Sequence, residues 1–296
     1  MRLVPVYRPG SSALHSARAG VASAYCGALG LVAVLYEHPL VIAAVVVATV
    51  SAGAAAGVGT EMRRGLRLAL PIALLVAVLN PLFASSQGVT LLVRGDDVLG
   101  HRVGDITLEA LVYGAAAGLR FAALVLVFAL YSAVVDPDDM LKLLRRVSYR
   151  SALTASLTTR LVPVLARDAS RMSDAARCRP HPPGRAARAR AALHGALDRA
   201  VDVAAALEVR GYGDARRPQR AHTPWSRHDV RVAVAATGMA LLAVLARIVG
   251  GAGFEPYPRI DLALGPAEVG LATVVVALAL APLAGTRSRL GVARAA

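Results

Sequence analysis

The 296 residues are 56% hydrophobic with a mean hydropathy of +0.55, an apolar excess that excludes a single soluble globule of this length. Aromatic residues make up only 4%, which excludes an aromatic-rich barrel or sandwich and points to tightly packed helices of Ala, Val, Leu and Gly. The net charge of +14 fits either a nucleic-acid partner or the basic cytoplasmic loops of a membrane protein, and the position of the charge decides between them.

About twenty polar and mixed residues come first, too many for the n-region of an ordinary signal peptide, so no cleavage is expected. Six apolar segments follow, at 21–36, 40–59, 66–84, 106–135, 230–250 and 268–284. Each is near the ~20 residues that a ~30 Å hydrocarbon core requires, and the fourth is long enough to tilt or to begin outside the core. Arg2, Arg8 and Arg18 precede the first segment, Arg63, Arg64 and Arg67 separate the second from the third, and Arg287, Arg289 and Arg294 follow the sixth. The alternate loops are mixed or acidic: Glu37 and His38; Arg94, Asp96, Asp97, Arg102 and Asp105; Glu255, Arg259 and Asp261. This asymmetry predicts six crossings with both termini in the cytoplasm.

The largest connection, 136–231, falls on the same side and holds 19 basic and 10 acidic residues, so most of the net charge lies there. Leu141, Leu144, Leu153, Leu157 and Leu161 recur at helical intervals, Pro180, Pro182, Pro183 and Gly184 break the pattern, and a second helical stretch runs over 186–209. Gly211 and Gly213 end that stretch, as glycines do at helix C-termini. The predicted fold is therefore all-α, a polytopic membrane protein of about six transmembrane helices with a cytoplasmic helical module between spans four and five. Its parts are an N-terminal cytoplasmic tail (1–20), spans one to four (21–135), the module (136–229), spans five and six (230–284) and a basic cytoplasmic tail (285–296). Gly53-x-x-x-Gly57 and Gly114-x-x-x-Gly118 contain only Ala between their glycines and predict close helix packing, within the chain more than between subunits.

Catalytic signatures are missing. The single lysine, Lys142, lies between leucines, so no phosphate-binding G-K-[ST] loop exists. The seven histidines form no H-E-x-x-H, and there is no G-x-S-x-G. Cys26 lies in an apolar run and Cys178 in a basic one, so free thiols are expected, with no disulfide framework and no metal site. A non-catalytic chain is expected, with a large cytoplasmic module that binds a partner.

The segment Glu208-Val209-Arg210-Gly211-Tyr212-Gly213 is the most specific in the chain. It resembles the E-A-R-G-[FY]-G signature of the T component of energy-coupling factor (ECF) transporters, the EcfT/CbiQ family, with Val209 in place of the usual Ala. The second arginine motif of that family aligns with Cys178-Arg179-Pro180, where Cys replaces Ala and Pro replaces Gly. Asn80-Pro81-Leu82-Phe83 resembles the family's N-P-L-F. The run Thr107–Gly114 resembles T-L-E-x-L-x-Y-G and is followed by Gly118-Leu119-Arg120, and Ser156–Pro163, with Arg160 and Pro163, resembles S-L-x-x-R-x-x-P. The resemblance is good over 69–218 and extends to the remainder only as hydropathy.

The resemblance implies an L-shaped membrane scaffold of an ABC importer whose cytoplasmic helices seat in grooves on two ATP-binding-cassette ATPases, and which holds a small membrane S component. ATP and magnesium would belong to the ATPases, with no cofactor in this chain. Arg179 and Arg210, with Glu208 and Gly211, would form the ATPase-coupling ends. The cargo, a vitamin or a cobalt or nickel ion, would be chosen by the S component. Against this stands a plainer role for Arg210 as a cation favourable at a helix C-terminus. Asn80, Pro81, Glu109, Arg120, Arg160 and Pro163 are membrane-embedded or structural candidates. Glu109 and Arg120, eleven residues apart, share a helix face. Arg120 reads either as a functional intramembrane charge or as a structural or snorkelling arginine. Asn80-Pro81 is expected to end a helix near the outer surface, and Trp225 and Tyr257 to anchor at the interface. Two other readings are an autonomous permease, disfavoured by spans that are almost wholly small and apolar, and a basic membrane-anchored interaction protein. Nucleic acid is not an expected partner, because the basic loop interleaves acids and lacks aromatic stacking platforms. The expected location is the plasma membrane.

Overall fold

Long runs of Ala, Leu and Val satisfy their backbone groups most simply as helices, and helices carry the architecture. The computed structural model describes residues 7, 10, 12–83, 91–93, 96–98, 101–103, 106–144, 149–181, 183–211, 225–249 and 265–284. Arg2, Arg8, Arg94, Asp105, Pro182, Tyr212, Gly213, Glu255, Tyr257, Arg259, Asp261, Arg287, Arg289 and Arg294, named above, lie outside the described residues.

The chain forms two compact units: residues Met1–Met140 with Trp225–Ala296, and residues Leu141–Pro224. The first contains helices α1 (Ala13–Ser16), α2 (Ala19–Leu35), α3 (Pro39–Ala55), α4 (Gly59–Phe83) and α5 (Leu108–Val134). Helix α6 (Pro137–Leu144) follows, and α7 (Tyr149–Arg177) and α8 (Arg185–Val209) belong to the second unit. Helices α9 (Arg227–Ile248) and α10 (Pro266–Ala284) complete the first. The expected all-α architecture has one exception between α4 and α5. Strand β1 (Leu91–Val93) pairs antiparallel with β4 (Ile106–Thr107), and β2 (Asp96–Val98) with β3 (His101–Val103). Val, Ile and Thr favour a strand over a helix, and β2 and β3 are separated in sequence by two residues, the spacing of a tight hairpin.

In the first unit α2 packs on α9, α3 on α10 and α5, and α4 along α5. Tyr25 and Leu29 of α2, Ile42 and Val45 of α3, Leu130 of α5 and Met239 of α9 fill the core. Tyr25 Oη donates to Ala279 O of α10 at 2.9 Å, and Tyr36 Oη, just past α2, donates to Ala243 O of α9 at 2.7 Å. Helices α5 and α9 and the stretch Pro266–Leu283 are, among the described residues, long and apolar enough to cross a membrane by length and composition. Helices α2 and α3 have 17 residues each, about 25 Å at 1.5 Å per residue, and α3 is shorter than the segment 40–59 read from hydropathy.

Both boundaries of α4 differ from expectation. Helix α4 begins at Gly59, so Arg63, Arg64 and Arg67 sit on its first turns and not in a loop. Arg64 Nη1 pairs there with both carboxylate oxygens of the buried Glu61, at 2.7 and 2.9 Å. A carboxylate near a helix N-terminus is favoured by the dipole, and its arginine one turn on neutralises it. Helix α4 also runs through Asn80-Pro81 to Phe83, instead of ending at the proline. Proline removes one backbone donor from the ladder, and the helix continues only two residues beyond Pro81. The two G-x-x-x-G motifs divide their roles. A Cβ on Gly118 would lie 2.5 Å from Ala73 O of α4, and one on Gly53 would lie 2.5 Å from the side chain of Met62, so both glycines serve packing within the chain. Gly57, by contrast, has φ +74 and turns the chain out of α3.

In the second unit α7 and α8 form a helical pair, tied by Arg199 Nη1 to Asp168 Oδ2 at 2.6 Å. The break expected at 180–184 separates them. Pro163 lies inside α7, where its carbonyl takes Arg167 Nε at 3.2 Å. Helix α8 buries none of its residues.

Candidate functional site

The end of α8 is assembled locally. Arg210 is the C-cap, its N–H reaching Ala206 O at 3.3 Å. Gly211 donates to Glu208 O at 2.9 Å and adopts φ +77, the left-handed turn that closes a helix and that a side chain disfavours. Glu208, Arg210 and Gly211 are exposed, and Val209 is 90% exposed. Arg210 has no ion pair among the described residues. The helix thus ends in a guanidinium, an adjacent carboxylate and an uncovered valine, with a rigid 25-residue rod behind them.

The corresponding end of α7 is built differently. The helix was expected to end at Arg179-Pro180, yet it ends at Arg177, leaving Cys178, Arg179 and Pro180 beyond it. Proline disfavours the helical region for the residue before it, so Arg179 cannot hold the cap position that Arg210 holds. Arg179 donates its N–H to Ala176 O at 3.3 Å, and its side chain is exposed without an ion pair among the described residues. Arg160 and Pro163 are also exposed on α7.

The membrane-unit candidates separate from one another. Arg120 of α5 reaches the end of α2: Nε donates to Ala33 O at 3.0 Å, Nη2 to Val34 O, and Nη1 pairs with Glu37 Oε1 at 3.2 Å. It caps carbonyls that the last turn of a helix leaves open, and its charge complements the negative end of the α2 dipole. Glu109 shares the helix with Arg120 but is not its partner; it lies in the first turn of α5, 3% exposed, beside Thr107, whose hydroxyl caps Ala110 N at 3.2 Å. Eleven residues span about 16 Å of helix, too far for a direct pair. Asn80 is half-buried on α4; of the Pro81 side chain nothing is described.

Sequence reasoning missed two features. Glu37 was read only as a loop charge, although it pairs with Arg120, the one arginine of α5. The second is a cluster at the start of α9. Asp229 is buried and accepts from Arg18 N at 3.0 Å, Ser226 N at 3.1 Å and Ser226 Oγ at 2.9 Å, while Ser226 caps Asp229 N at 3.0 Å. The spacing Ser-x-x-Asp before an apolar run is a capping box and was legible. Trp225, expected as an interface anchor, lies 5.3 Å from the Arg18 guanidinium. Partial burial, followed by the negative charges of Asp136 and Asp139, holds the Tyr7 hydroxyl above its usual range. Cys26 is buried and Cys178 exposed, both free, and no cluster of three metal-ligating side chains occurs among the described residues.

Comparison with known proteins adds the family. No curated protein matches the chain. The CbiQ family model, described as cobalt transport protein, matches residues 10–222, a stretch that begins before α1, includes Arg120, Arg160 and Arg179, and ends past Arg210. This membrane protein therefore belongs to the CbiQ cobalt transport protein family, the family of the T components of ECF transporters.

Proposed function

We propose that the chain is the T component of an ECF-type ABC importer, a non-catalytic membrane scaffold that transmits ATPase movements to a substrate-binding S component. In this reading the chain crosses the plasma membrane six times, with both termini and the 136–229 module in the cytoplasm. Two ATPase subunits supply ATP and magnesium, and the S component captures the cargo, a cobalt or nickel ion or a vitamin.

The observation that carries the reading is the end of α8, where Arg210, with no ion pair among the described residues, is presented at the C-cap by a left-handed Gly211. Arginine keeps its charge and offers a planar fork that matches a carboxylate in two places. Held on a helix about 37 Å long, such a fork converts displacement of a docked partner into displacement of the whole rod. Arg179 is the second contact. Its position beyond the α7 terminus makes it the less rigidly presented of the two.

The test compares Arg210→Ala, Arg210→Lys, Arg179→Ala and the double alanine variant for copurified ATPase and for cellular uptake of labelled cobalt(II), nickel(II) and vitamins. Truncating one partner of a water-excluded charged pair strands the other, so Arg210→Ala is expected to lower coupling about tenfold or more. Lysine should rescue it incompletely, Arg179→Ala should cost less, and the double variant should assemble poorly. Normal uptake and normal ATPase association in every variant would reduce both arginines to helix-end cations.

A further inference from the structure

Between Asp174 and Asp198 the sequence holds Arg177, Arg179, Arg185, Arg188 and Arg190 and no further acid. Of the α7 acids near this corner, Asp168 is engaged by Arg199 at 2.6 Å, and the exposed Asp174 still leaves the arginines in excess. A cleft runs between the two helices here, bounded by Ala169, Met172 and Ser173 of α7 and by Arg185, Arg188 and Ala189 of α8. Arg188 Nε faces no solvent and has no hydrogen-bond partner among the described residues. A guanidinium N–H withdrawn from water without an acceptor is unfavourable, so the Arg188 side chain gains by turning its fork toward an acceptor that enters the cleft. Arg185 and Arg188 are three residues apart on one helix face, so both reach the same anion. Alanines on both walls leave room for a side chain, and the Ser173 hydroxyl adds a donor.

We propose that this cleft receives an aspartate or glutamate side chain of the partner ATPase, with Arg188 as its main ligand and Arg185 beside it, making a contact separate from Arg179 and Arg210. The inference rests on the coupling role proposed above. A carboxylate matches the guanidinium fork in planarity and charge. The recess between two helices admits one projecting side chain, whereas a lipid leaflet presents its anions in a plane and meets exposed surface first.

The native chain has a single lysine, Lys142, so Arg188→Lys adds one new side-chain amine. The full-length variant, copurified with its ATPases, is treated with a carbodiimide, which joins an amine to a carboxylate in direct contact. The expected product is a peptide pair linking position 188 to an aspartate or glutamate of the ATPase, absent from the wild type. Arg188→Glu is expected to lower ATPase retention about tenfold or more with Arg210 intact. If the ATPase copurifies but no such pair forms, or if Arg188→Glu retains it normally, the cleft assignment is wrong and the coupling reading stands. If the wild-type chain retains no ATPase, both fall. Loss of bound anionic lipid from Arg188→Ala, with ATPase retention unchanged, overturns the assignment in favour of a membrane contact.

Discussion

Replacing Gly118 by alanine tests the α4–α5 packing directly. The new Cβ would lie 2.5 Å from Ala73 O and 3.3 Å from both Ala73 C and Ala77 Cβ. The closest obstacle is backbone, so no rotamer change relieves it; α4 itself must move by most of an ångström from the helix it packs along. Overpacking of this kind costs about 1–3 kcal/mol. Alanine is meanwhile the better helix former by about 1 kcal/mol, which would mask part of the loss in a single measurement. Gly27→Ala supplies the reference, because a Cβ there meets nothing within 4 Å while the gain in helix propensity is the same. The difference between the two variants isolates the contact, and at about 2–4 °C per kcal/mol it corresponds to an apparent melting temperature about 2–12 °C lower for Gly118→Ala. Thermal unfolding of the full chain in one detergent measures it. A Gly118→Ala protein that melts at or above Gly27→Ala would refute the close approach of the two helices.

Arg120→Met strips the acceptors Ala33 O and Val34 O of their donor and should destabilise the first unit by about 1.5–3 kcal/mol, with Arg120→Lys recovering part. Glu37→Gln should cost much less, since Glu37 is 49% exposed; equal losses in Glu37→Gln and Arg120→Met, read by thermal unfolding, would mean that the ion pair and not the carbonyl cap matters. Tyr25→Phe and Tyr36→Phe each delete a buried hydroxyl bond that ties α2 to another helix, so each should lower stability by about 0.5–1.5 kcal/mol in the same assay, and unchanged melting would argue against those bonds.

The features the sequence determined are those that depend on nearest neighbours. Apolar runs made α5, α9 and α10 recognisable as membrane-spanning candidates, because hydrocarbon admits few other solutions for the backbone. Pro180 through Gly184 located the break between α7 and α8, and Gly211 the end of α8, because proline and glycine restrict or relax φ whatever surrounds them. The ordered landmarks from Asn80 to Gly213 identified the family without any coordinate. Tertiary structure decided what depends on where a side chain lands. Glu109 and Arg120 share a helix face, yet Arg120 turns to the end of α2, because only packing brings the Ala33 and Val34 carbonyls within its reach. Gly53 and Gly57 look alike in their motif, yet one receives Met62 and the other reverses the chain, a distinction set by the start of α4. The buried nitrogen of Arg188, without an acceptor among the described residues, is likewise invisible in a list of arginines, since burial is set by how side chains pack.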